Sequence, residues 1–239
     1  MFLCSDADIA IYGGAAYSGK TFALLLECLR NKDIPNLPAV IFRRTLKQAT
    51  NPGGLWDESC QVFGSFGAEP SVGRMEHRFP YSGATVKFAG MEHENDRFAW
   101  DGAQIPVLGF DQLEHFTWVQ FWYMLSRNRD PSGQVRPYIR ATCNPDPDSW
   151  LASFIAWWID QDTGIPIAER AGKVRWFIRA TNDTPVWSDS REELLAEHGD
   201  PALPADHDEQ VKPLSVTFIP GTIFDNKIGM QRDPLYLSK

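Results

Sequence analysis

The sequence predicts an α/β fold in which a mainly parallel sheet carries helices on both faces and a smaller unit is appended after about residue 160. Three observations predict it. Apolar runs of strand length alternate with helix-length amphipathic stretches. A glycine-rich loop joins the first strand to the first helix, and two later strands also end in polar residues. Ligands of such sheets sit at the carboxyl ends of the strands, so these three ends form the expected site. A chain of 239 residues that is 43% hydrophobic can bury the core this requires.

Taken in order, "ADIAIY" (7–12) reads as a buried strand and "TFALLLECLRN" (21–31) as a helix. Between them Gly14, four residues, Gly19, Lys20 and Thr21 satisfy the phosphate-loop spacing, which makes the fold a P-loop NTPase. Glycines let backbone N–H groups curl inward around phosphate oxygens, and the helix N-terminus favours the bound anion. Gly14, Ala15, Ala16, Tyr17, Ser18, Gly19, Lys20 and Thr21 are therefore the expected nucleotide-binding residues. Lys20 would reach the β- and γ-phosphates of ATP, and the Thr21 hydroxyl would ligate Mg²⁺.

"AVIFRRT" from Ala39 is a second strand that ends in Arg43 and Arg44, each more simply a solvated charge or a salt-bridge partner than a γ-phosphate contact. "GGLWDESCQVFGSFG" reads as a helix with Leu55, Trp56, Cys60 and Phe63 on one side, and "MEHRFPYSGATVKFAGM" as a hairpin about "PYSG". "IPVLGFD" (105–111) is a buried strand that ends on Asp111, a carboxylate able to hold Mg²⁺ opposite the phosphate loop. Hydrolysis needs a further carboxylate to activate water. Gln112 cannot act as a base, although it could position a water, so Glu114 is the candidate.

"TWVQFWYMLSRN" is a helix capped by Thr117, and "PYIRATCNP" is a strand whose end presents Thr142, Cys143 and Asn144. Trp150, Trp157 and Trp158 at near-helical spacing are better read as a core-packing face than as a base-stacking surface. "QDTGIPIAERAG" is a polar connection, followed by the extended runs "KVRWFIRA" and "LSVTFIP" around "SREELLAEHGDPALPADHDEQ", an acidic, solvated helix that runs into a Pro- and Asp-rich loop.

Read in order, "IYGGAAYSGKTFALLLECLR", "VIFRRT", "GGLWDES", "RFPYSGATVKF", "WDGAQIPVLGFDQLEHFTWVQFWYMLSRNR", "IRATCNP" and "SVTFIPGTIFDN" with "DPLYLSK" resemble the ATPase half of the large terminase subunit of tailed bacteriophages and prophages. The resemblance implies an Mg-ATP-driven DNA-packaging motor that moves double-stranded DNA into a procapsid. By that likeness Asp111 closes the Walker B strand, and Thr142, Cys143 and Asn144 match the coupling motif that senses the γ-phosphate. It implies as partners double-stranded DNA, a portal protein, a small terminase subunit and further copies in a ring. The host cytoplasm is the implied location. It divides the chain into an ATPase core (1–160) and a linker subdomain (161–239), with the family's nuclease domain expected to be absent.

Two departures stand out. Gln112 occupies the place of the family's glutamate, so either Glu114 substitutes or the ATPase is impaired, as in an inactive prophage fragment. Little chain precedes the loop for the family's adenine-contacting segment. The alternative from the residues alone is a small-molecule enzyme of nucleotide-kinase type, disfavoured by the ordered strand, helix and hairpin where a lid would lie.

Composition constrains partners further. The net charge of −8 excludes a surface basic all over and leaves DNA contact to a local patch. The four cysteines lack metal-ligand spacing, and no apolar stretch is long enough to span a bilayer.

Overall fold

The computed structural model describes residues 1–180, 184–207 and 209–233. The part of "DPLYLSK" after Asp233 therefore lies outside the described residues. Strand β1 (Ile9–Gly14) leads through the loop into helix α1 (Lys20–Leu29). Next come β2 (Pro38–Arg43), the short α2 (Leu46–Ala49) and α3 (Leu55–Gly64). A meander of β3 (Glu69–Ser71), β4 (Glu76–Arg78) and β5 (Thr85–Gly90) follows, then β6 (Val107–Phe110), α4 (Trp118–Leu125) and β7 (Tyr138–Cys143). The remainder is α5 (Trp150–Phe154), β8 (Val174–Arg179), β9 (Pro185–Ser188), α6 (Arg191–His198), β10 (Leu214–Gly221) and α7 (Lys227–Arg232).

All ten strands form one sheet in the order β3-β4-β5-β2-β6-β7-β1-β10-β8-β9. The six central strands, β5 to β10 in that order, run parallel, while both margins are antiparallel. The sheet crosses residue 160 without a break, because β10 lies between β1 and β8.

The continuous apolar runs of β1, β2 and β10 follow from burial on both faces, since successive side chains point to opposite sides. Ile9 and Ile11, Val40 and Phe42, and Phe218 enter one core with Phe121, Leu151, Trp158 and Phe177. Ala10, Ala39, Ile41 and Ile219 enter the other, with Leu24, Leu25, Phe63 and Phe88. The sequence expectation of helices on both faces is met by α1 and α3 on one side and α4 and α5 on the other.

Thr117 caps α4 as expected, accepting from the Gln120 N–H at 3.1 Å while Gln120 Oε1 accepts from the Thr117 N–H. The tryptophans are core-facing residues rather than a stacking platform. Trp150 stacks on Phe121 with ring centres 5.1 Å apart, and Trp158 is buried with its Nε1 donating to the Lys173 carbonyl. They do not share one helix, because α5 ends at Phe154 and a 3-10 turn carries Ala156–Trp158.

Candidate functional site

The ends of β1, β6 and β7 converge on one cleft of about 980 Å³, within the range that holds a nucleotide-sized ligand. The loop after β1 forms one wall through Ala16, Tyr17, Ser18, Gly19, Lys20 and Thr21. Its backbone depends on glycine at two points. Gly14 has φ +141°, and a Cβ there would come within 1.9 Å of the Gly221 carbonyl oxygen on β10. Gly19 has φ +81° and turns the chain into α1, whose first two residues are Lys20 and Thr21. Tyr17 holds φ +65°, with its carbonyl accepting from Asn226 Nδ2 at 2.8 Å and its hydroxyl donating to the Gly229 carbonyl at 3.1 Å. Helix α7 is thereby laid against the loop.

Lys20 Nζ donates to the Gly14 carbonyl (2.9 Å), the Ala15 carbonyl (2.5 Å) and Ser18 Oγ (3.1 Å). Its burial lowers the ammonium pKa, while the negative charge of Cys143, Glu114 and Asp111 in their ionised forms opposes that shift. An ammonium held among carbonyls with little solvent is suited to a polyanion, which would supply the missing negative charge.

Asp111 is fully buried and holds the site together. Its Oδ1 accepts from Thr21 Oγ1 at 3.1 Å and from Thr142 Oγ1 at 2.7 Å, and its Oδ2 accepts from Arg43 Nη1. Thr142 also accepts from the Gln112 N–H at 2.9 Å, which fixes Gln112 in a left-handed conformation (φ 62°). Four chain segments thus meet at one carboxylate.

The Thr21 hydroxyl and the Asp111 carboxylate are adjacent hard oxygen donors, the set Mg²⁺ takes when phosphates and water complete its octahedron. No group of three or more His, Cys, Asp or Glu side chains that could cage a metal occurs among the described residues. A metal shared with phosphates fits this donor set better than one held by protein alone.

The remaining expected residues divide. Asn144 and Gln112 line the cleft. Cys143 is buried in the core beneath β1, where a Cβ on Gly13 would meet its Sγ at 2.8 Å, and burial pushes its thiol pKa up. Glu114 is enclosed in the turn after β6. Its side chain is 3% exposed, and its oxygens accept no hydrogen bond of good geometry. Burial raises its pKa, while the nearby N–H groups of Glu114 and Asn144 oppose that rise. Cleft residues that the sequence did not single out are Glu58 on α3, and Asn226, Ile228 and Arg232 at α7. Arg43, read from sequence as a solvated charge or a salt-bridge partner, is the ion-pair partner of Asp111.

A family model described as "Terminase large subunit, T4likevirus-type, N-terminal" matches residues 11–234. The chain belongs to the terminase large-subunit family. No curated protein matches this terminase chain. Among solved structures it is similar to the large terminase of the thermophilic bacteriophage D6E, with 13% identity, a TM-score of 0.57, and 97% of this chain and 46% of that one covered. The same D6E protein in complex with ATP-γ-S gives 13% identity, a TM-score of 0.55, and 97% and 45% coverage. The HK97 bacteriophage large terminase gives 13% identity, a TM-score of 0.50, and 87% and 42% coverage. At this identity the likeness establishes the fold. The terminase chain spans less than half the length of the D6E protein.

Proposed function

We propose that the chain is the ATPase of a viral DNA-packaging motor, coupling Mg-ATP hydrolysis to movement of double-stranded DNA into a procapsid. The observation that carries the proposal is the meeting of Lys20, Thr21, Asp111 and Thr142 at one cleft. The loop Gly14–Thr21 would hold the triphosphate, with Lys20 redirecting its N–H donors from loop carbonyls to phosphate oxygens. Thr21 and Asp111 would hold Mg²⁺, which supplies charge neutralisation at the transferring phosphoryl group. Arg43 would hold Asp111 in its orientation through their ion pair. Thr142 links Asp111 to the Gln112 N–H, so a shift at the phosphates would reach β7 and Asn144, the coupling role expected of 142–144. Glu114 stays in the proposal as a carboxylate near Lys20, although its closed setting would have to open before it met water.

The relatives' structures support nucleotide as the ligand, since the D6E protein is described with ATP-γ-S. Residues 1–160 would then be the ATPase core and 161–239 a linker unit joined to it through β10. Portal, small subunit and neighbouring copies are the proposed partners, in the host cytoplasm. Among the described residues no helix is long and apolar enough to cross a membrane. With 31 acidic and 23 basic residues, DNA binding by this chain alone should be weak and confined to a patch. ATP turnover measured with and without double-stranded DNA tests the proposal. Stimulation by DNA supports a motor, and turnover indifferent to DNA but accelerated by a small phosphoryl acceptor would replace it with a kinase.

A further inference from the structure

The cleft lacks an evident general base on the Walker B side. Both oxygens of Asp111 are engaged by Thr21, Thr142 and Arg43. Gln112 carries an amide, and Glu114 is enclosed behind the turn. Elsewhere the cleft offers a different acid.

Helix α3 turns Leu55, Trp56, Ser59 and Phe63 into the core. The adjacent stripe, Glu58, Gln61, Val62 and Ser65, follows helical spacing and lines the same cleft as the phosphate loop. Of the described residues that line the cleft, two are acids, Asp111 and Glu58. Glu58 is half-buried, and among the described residues its carboxylate has no hydrogen-bond or ion-pair partner. Its backbone is held in place from both sides. Ser59 Oγ donates to the Trp56 carbonyl at 2.6 Å and contacts His77 Nε2 at 2.8 Å, which pins α3 to the hairpin strand β4.

Resting on the ATPase reading above, we infer that Glu58 is the catalytic carboxylate that activates the attacking water. Glu58 and the phosphate loop line the same cleft, so a nucleotide held by the loop would share that cleft with the Glu58 carboxylate. In the step assigned to it, the water oxygen bonds to the γ-phosphorus as its proton passes to the Glu58 carboxylate. The bond from that phosphorus to the bridging oxygen breaks, and ADP leaves with the electron pair. Burial and the neighbouring Asp111 charge both raise the proton affinity of Glu58, which suits a base.

The test compares the full-length chain with Glu58→Gln and Glu114→Gln in single-turnover ATP hydrolysis, alongside the Kd for a fluorescent ATP analogue and the thermal midpoint. The inference expects Glu58→Gln to hydrolyse roughly 10²-fold or more slowly, the scale of general-base loss, with Kd within about threefold of the wild type and an unchanged midpoint. Hydrolysis by Glu58→Gln at the wild-type rate overturns it, as does a loss confined to Glu114→Gln. A rate loss matched by an equal loss of ATP affinity overturns it too, because Glu58 would then be a binding group. Absence of hydrolysis by the wild type defeats the ATPase reading and this inference with it, a result distinct from an active wild type with an active Glu58→Gln.

Discussion

His77 gives a quantitative handle on the wall that carries Glu58. It is fully buried, with the Trp56 ring stacked at 4.7 Å and the Phe63 and Phe88 rings edge-on at 5.1 and 5.9 Å. The Ser59 hydroxyl spends its one proton on the Trp56 carbonyl, so Nε2 of His77 must donate to Ser59 and Nδ1 is the bare nitrogen. That Nδ1 is buried without a partner, and protonating it would place a charge in an aromatic cage. Desolvation accordingly pushes the His77 pKa from 6.5 down to about 4. The folded-state pKa is depressed, so the unfolded chain binds the proton more readily, and the stability from neutral His77 is complete above pH 6.5. That stability is lost as pH falls from 6.5 through 4. At about 1.4 kcal/mol per pH unit the full loss is on the order of 3 kcal/mol. His77→Phe keeps the ring volume and removes the titration. Urea unfolding of both proteins from pH 7.5 to 4 should show the wild type losing about 3 kcal/mol more than the variant. A wild-type-minus-variant difference that stays constant across this range would show that His77 does not titrate with a depressed pKa in the folded chain.

Gly14→Ala should unfold the loop's base rather than weaken one contact. Its Cβ would sit 1.9 Å from the Gly221 carbonyl oxygen at φ +141°, so we expect a loss of roughly 3 kcal/mol or more and no nucleotide binding. A thermal midpoint within 2 °C of the wild type, on the scale where about 1 kcal/mol moves a domain of this size by 2–4 °C, would contradict that. Arg140, buried, lies 3.6 Å from the buried Glu27 and donates to the Ser5 and Ala7 carbonyls. Arg140→Leu should cost about 3 kcal/mol in chemical denaturation by stranding these groups, and a cost below about 1 kcal/mol would show the pair to be dispensable.

The sequence made the phosphate loop legible because its glycines serve backbone geometry, and φ +141° and +81° at Gly14 and Gly19 are the conformations that spacing implies. The central strands were equally legible, since runs such as "AVIF" are apolar at both parities only when both faces are covered. The Asp111 cluster was legible only in part. Strand order brings Thr21 and Thr142 to the same sheet end as Asp111, but no local pattern records that Arg43, 68 positions before it, pairs with that carboxylate. Periodicity identified the core side of α3 but could not say which polar stripe would line the cleft, so Glu58 was not legible as a cleft residue. Short edge strands escaped for a simpler reason. "EPS" and "PVWS" are three and four residues long and each contains proline, which sequence rules assign to turns.

The claim that Lys20 and its loop form a working nucleoside triphosphate site is tested most directly by Mg²⁺-dependent ATP binding and hydrolysis in wild type and Lys20→Ala. Turnover should be measurable in the wild type and at least 10²-fold lower in the variant, equivalent to about 3 kcal/mol of lost transition-state stabilisation, with the fold intact. Equal binding and hydrolysis by Lys20→Ala would contradict it.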